Sequence, residues 1–154
     1  MIQKRLVTDW VETTLAAASG KPVGRGRAPT SGQAPPYYIL YSVDTHVFGA
    51  PFADRSEDGS FVYQITSVSG PDPTIPQSTA DLDQLEWMAD KARTTFLARD
   101  SATGLWAHPL TVPGVSCLTR GLDVEWGGQP GGTSEQEAGI MTYVQRFRFN
   151  LTPA

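Results

Sequence analysis

The sequence predicts an α+β domain: a mainly antiparallel sheet of four to five strands, backed by two helices, with long Gly/Pro-rich loops. Three observations predict it. Residues 1–18 and 81–99 repeat apolar side chains at helical spacing. Residues 37–44, 60–69 and 140–152 are rich in aromatic and β-branched side chains. The 15 glycines and 12 prolines concentrate between these segments, in loops of roughly 13 to 18 residues each. At 154 residues the chain suits one domain over 1–154, long enough to bury a core without disulfide or metal staples.

The first helix places Val7, Trp10, Val11, Thr14, Leu15 and Ala18 on one face and stops at Gly20 and Pro22. Ser19 to Pro36 cannot pack a core and reads as a loop. Tyr37 to Asp44 reads as a buried strand, Thr45 to Gly59 as a second loop. Ser60 to Ser69 alternates, with Phe61, Tyr63 and Ile65 pointing one way. These two strands form an antiparallel hairpin with a long tip. After the break at Gly70 to Pro76, a helix runs from about Asp81 to Arg99. Asp81 is its N-cap, with Gln84 completing a capping box. Leu82, Leu85, Ala89, Ala92 and Phe96 form its apolar stripe, and Trp87 lies opposite. Val112 to Leu118 and Leu122 to Trp126 read as two short strands, and Gly127 to Gly139 as a third loop. Ile140 to Thr152 is the strongest strand signal. Met141, Tyr143, Phe147, Phe149 and Leu151 share one face; Thr142, Val144, Arg146, Arg148 and Asn150 share the other.

Composition excludes several classes. Hydrophobic residues at 40% and aromatics at 10% argue against disorder. A net charge of −4 excludes a broadly basic nucleic-acid binder. The lone Cys117 permits no intrachain disulfide and, in its apolar context, reads as a small core hydrophobe. No apolar stretch is long enough to span a bilayer, and Asp9 and Glu12 interrupt any signal-peptide core. Charged residues are only 18%, a hint that partners cover surface.

Catalytic and metal chemistry find little footing. His46 and His108 are far apart, and no CxxC, HExxH, EF-hand or G-x-S-x-G spacing occurs. No metal or cofactor is expected. The acidic DRSED run at 54–58 reads as a solvated hairpin tip, and His108, beside Trp106 and Pro109, as a packed loop residue. Gly24-Arg25-Gly26-Arg27 follows a helix and precedes a strand, the wrong order for a phosphate loop. Arg25 and Arg27 read instead as a basic tip facing a partner carboxylate or a nucleic-acid backbone. Arg146 and Arg148 mark either a solvated sheet face or a subunit interface, where arginine is enriched. Trp87 is either covered by a loop or an interface anchor, and Trp126 stays open.

Several segments resemble a known family. The helix start with Trp10 and Glu12, GRGRAPTSGQAPPYYILY at 24–41, DQLEWMADKAR at 83–93 and YVQRFRFNL at 143–151 are similar to tail terminator (tail completion) proteins of long-tailed bacteriophages, especially those of actinobacterial hosts. The likeness covers most of the chain by pattern and element order, and its motifs are structural. It implies a non-enzymatic virion protein, made in the host bacterial cytoplasm and residing at the head-proximal end of the tail. It implies a homo-oligomeric ring, a hexamer, that caps the tail tube and ends its polymerisation. Its partners would be the tail tube protein and a head-completion or neck protein, with DNA only as passing cargo and no membrane. Six chains at −4 each would carry about −24, which repels passing DNA if the acids line the lumen. Segments 22–35 and 127–139 are then expected to order on assembly. A head–tail connector or minor tail protein, and a small cytoplasmic enzyme built on His46 or His108, are the alternatives.

Overall fold

A computed structural model describes residues 2–48, 58–71, 74–78, 80–130 and 139–154. The element order is α1 (Lys4–Ser19), β1 (Val23–Arg25), β2 (Tyr37–Phe48), β3 (Asp58–Ser69), α2 (Leu82–Leu97), β4 (Val115–Pro130) and β5 (Met141–Pro153). One five-stranded sheet runs β1-β2-β3-β5-β4. All neighbours are antiparallel except β1 and β2, which are parallel. The sheet is therefore mixed but mostly antiparallel, with the two helices expected.

The apolar stripe of α1 buries Val7, Trp10, Val11 and Leu15. Gly20 ends the helix at φ 70°, donating its N–H to the Ala16 carbonyl, a left-handed cap that glycine adopts without strain. Asp81 caps α2 as expected, accepting from the Asp83 N–H. The capping box does not form. Gln84 Oε1 instead accepts from Ser69 Oγ at 2.6 Å, and that hydroxyl accepts from the Asp81 N–H. A β3 hydroxyl thus stands where the box would close and pins the start of α2 to the sheet. Leu85, Ala89, Ala92 and Phe96 are buried, joined by Met88 and Thr95. Leu82 stays 46% exposed.

Both helices pack on one face of the sheet. Their residues share one core with Tyr38, Leu40, Phe61, Tyr63, Ile65, Phe147, Phe149 and Leu151. Its centre is aromatic. Phe96 lies 5.9 Å from Trp10, 5.4 Å from Phe147 and 5.6 Å from Phe149 between ring centroids. These edge-on or tilted pairs add to the area they bury. Cys117 is partly buried against this core. The Tyr38 hydroxyl donates to the Met88 carbonyl at 2.8 Å, and burial pushes its pKa up.

The structure corrects three element boundaries. The first loop contains β1, whose Val23 and Gly24 are buried beside β2. The two short strands are one sixteen-residue strand, β4. It passes Thr119 to Gly121 and continues to Pro130 through register shifts at Cys117/Thr119, Leu122/Val124 and Trp126/Gln129. Each shift admits an extra residue that would otherwise end the ladder. As an edge strand, β4 is also where such irregularity discourages unwanted pairing. Finally, β2 and β3 extend beyond their expected ends to Phe48 and Asp58. The hairpin tip at 49–57, with most of DRSED, lies outside the described residues, as does 131–138 of the third loop.

On the core face of β5, Gln145 stands among aromatics and is fully buried. Its Nε2 donates to the Ala89 carbonyl at 3.1 Å and to Glu125 at 2.8 Å. Glu125 also pairs with Arg93, so α2, β4 and β5 are clipped together. Burial pushes the Glu125 carboxyl up, but the hydrogen bonds from Arg93 and Gln145 outweigh it and hold its pKa below 4.5. A carboxylate whose folded pKa is depressed adds stability above its unfolded pKa and loses it as pH falls through the folded one. Denaturant midpoints are therefore expected to drop below pH 4.5. Glu125→Gln is expected to lose less over that window; an identical acid slope in variant and parent would exclude this pair as a source.

Candidate interface on the open face of the sheet

Direct pairing across the ladder puts residues on a common face. Opposite the helices, β2 presents Ile39 and Tyr41, β3 presents Ser60, Val62, Gln64 and Thr66, and β5 presents Val144, Arg146, Arg148 and Asn150. From β4 come Thr119, Gly121, Val124 and Trp126. No helix among the described residues covers this side. The period-2 reading of β5 holds: Arg146 and Arg148 lie on the face away from the core.

Two polar rows cross the strands. Arg148 reaches sideways in both directions. It donates to both oxygens of Asp123 on β4, from Nε to Oδ1 at 3.2 Å and from Nη2 to Oδ2 at 2.7 Å, and to Ser60 Oγ on β3 at 2.7 Å. Asp123 raises its pKa further. Arg146 donates to Gln64 Oε1 at 3.0 Å, and its guanidinium lies 5.1 Å from the Trp126 ring centroid. These long side chains lie across the sheet, and Val62 beneath them is only 4% exposed. Arginine stems cover apolar surface in this way while the charged heads stay wet.

The two arginines differ in one respect. Arg148 has a bidentate carboxylate partner within the chain; Arg146 has a neutral amide and an aromatic ring and no ion pair among the described residues. Trp126 and Tyr41 flank Arg146's row and are 44% and 37% exposed. An arginine without a carboxylate between half-exposed aromatics has the composition of an interface anchor. Trp126 could not be assigned from its local sequence, because its partner Arg146 is twenty residues away.

The remaining residues singled out by sequence lie elsewhere. Arg25, at the end of β1, forms ion pairs with Asp9 and Glu12 of α1. The hydrogen bond it donates to Asp9 raises its pKa, and the side chain ties the first helix to the edge strand. Arg27 is exposed on the following loop. Trp87 is 45% exposed on the outer face of α2, with the ammonium groups of Lys21 and Lys91 at 5.6 and 5.8 Å. No single surface gathers all five residues: Arg146 and Arg148 share the open face, and Trp87 lies on the helix side.

His46 is exposed on β2, and His108 sits in the segment between α2 and β4. Among the described residues, no group of three or more His, Cys, Asp or Glu is placed to hold a metal ion. No helix among them is long and apolar enough to cross a membrane.

No family model matches the sequence, and no curated protein matches it. Among solved structures, the chain is similar to one from the virion of a native gene transfer agent particle. The TM-score is 0.56 at 13% identity, covering 92% of this chain and 91% of that one. At that identity the likeness is one of fold, and it spans nearly the whole of both chains.

Proposed function

We propose that this chain is a structural protein of a phage-like particle, a tail terminator that assembles as a ring on the head-proximal end of the tail tube. The open sheet face carries the reading: four long strands display aromatics and an arginine that has no carboxylate partner among the described residues, on a side that no helix among them covers. A monomer has little reason to keep such a face, whereas a ring subunit buries surface on two sides. The end-to-end fold likeness to a virion chain supports the same class, as do the family-like segments at 24–41, 83–93 and 143–151. In this role the chain performs no catalysis and needs no cofactor. It ends tube polymerisation by presenting to incoming tube subunits a surface they do not extend. Its other side meets the neck protein, and DNA passes through the ring. The residues proposed to serve contacts are Arg27, Trp87 and Arg146, with Arg25 and Arg148 holding the elements that display them.

A head–tail connector would use a similar surface, and particle morphology separates the two. In particles made without this gene, overlong tails of variable length beside filled, tailless heads are the expected result. Filled heads with separate tails of normal length would move the protein to the neck. Intact particles would overturn the structural role.

A further inference from the structure

The open face has a counterpart on the reverse side of the same domain. On α2, Asp83, Glu86, Trp87 and Asp90 follow one another at i, i+3, i+4 and i+7, which places them on one helical stripe. All four are exposed. Asp90 pairs with Arg93, but Asp83 and Glu86 have no ion pair among the described residues. The stripe is an aromatic ring that lies under the ammonium groups of Lys21 and Lys91, with two acids on its N-terminal side that have no ion pair among the described residues. On the sheet face, Trp126 and Tyr41 border Arg146, which has no ion pair among the described residues. Each patch holds what the other is missing.

We propose that the acidic α2 stripe of one copy docks on the Arg146–Trp126 face of the next copy, a head-to-tail contact in which Glu86 and Asp83 supply the missing carboxylate. This rests on the ring reading above and specifies the contact that builds the ring. Three observations favour a second copy over a foreign partner. First, the charges and aromatics are complementary within this one chain. Second, the sheet face has room for the stripe: four strands of at least twelve residues, about 4.8 Å apart and rising about 3.4 Å per residue, span roughly 800 Å². Third, α2 packs directly behind β3, β4 and β5, so the two patches sit on opposite sides of the domain. Unlike patches on opposite sides make a heterologous contact, which closes into a ring when each step includes a rotation. Placing Trp87 against the sheet also accounts for a tryptophan left half-exposed on the outer helix face.

The test exploits this polarity. Arg146→Glu destroys the sheet patch and leaves the stripe; Asp83→Arg with Glu86→Arg destroys the stripe and leaves the sheet patch. Sedimentation of the purified full chain is expected to show oligomers, and each variant alone is expected to associate at least roughly tenfold more weakly. Mixed together, the two variants offer the native contact on one side and the charge-reversed contact on the other, so they should co-assemble in alternation although neither assembles alone. Carrying all three substitutions in one chain should restore assembly. Unchanged thermal transitions in the variants show that they fold. Undiminished assembly of both variants would overturn this contact while leaving the ring reading intact. A parent chain that stays monomeric at all concentrations would overturn the contact, with particle morphology then deciding the virion role separately.

Discussion

Phe96→Ala is expected to lower the unfolding free energy by about 3–5 kcal/mol. Phe96 is fully buried at the crossing of α2 with the sheet, and its ring meets Trp10, Phe147 and Phe149. Truncation empties the one volume on which α1, α2 and β5 converge. The neighbours are held by different elements, so collapse into the space is limited and the cavity persists. The backbone contributes as well. Arg120 stacks over Trp10 and Trp106 and donates to the Phe96 carbonyl at 3.2 Å, so any retreat of the helix end disturbs a buried cation. Typical domains are stable by only about 5–15 kcal/mol, and the loss is a large fraction of that. Denaturant midpoints of parent and variant measure it. A loss near the roughly 1 kcal/mol of an ordinary substitution would place the centre of the core elsewhere. Phe96→Leu, which restores most of the volume, should recover much of the difference.

Gly24→Ala is expected to cost about 3 kcal/mol, the upper part of the usual overpacking range. A Cβ on residue 24 would stand 2.0 Å from the Arg27 carbonyl oxygen and 2.7 Å from the Pro29 nitrogen. The obstacle is backbone, which cannot swing aside as a side-chain end can. Either β1 leaves β2 or the 26–29 turn opens. Both outcomes withdraw Arg25 from Asp9 and Glu12 and uncover the edge of the sheet. Amide exchange should therefore quicken at Gly26, whose N–H bonds to the Leu40 carbonyl at 2.8 Å, and at Tyr38, bonded to Pro22. Gly26→Ala is a useful contrast. Its φ of 65° is strained for alanine, but a Cβ there meets nothing, so a smaller loss is expected. Equal effects of the two would mean that conformation, and not close approach, governs this loop.

The helices and long strands were legible because they obey local periods. Apolar residues recur at 3.6 in α1 and α2 and alternate in β3 and β5. What escaped had no local signal. β1 is three residues in a Gly/Pro-rich stretch, held by its pairing with β2. β4 read as two pieces because its bulges interrupt the alternation. Gln84 follows the capping-box pattern, yet Ser69, fifteen residues earlier, takes its side chain. The candidate interface was legible in part. Arg146, Arg148 and Trp87 stood out, but Arg25 and Arg27 carried no mark distinguishing an intrachain clamp from an exposed cation.

By itself the sequence determined the class of fold, the faces of its helices and of its last strand, and the scarcity of histidine and cysteine. Those properties depend on residue type and on spacing within one element. Only the tertiary structure decided which strands are neighbours, that both helices lie on one face, and which arginine keeps a carboxylate. Asp123 lies twenty-five residues from Arg148, and Gln64 eighty-two from Arg146. Partners at such separations are chosen by the order of strands in the sheet. That order follows from burying one shared core, which no single segment encodes.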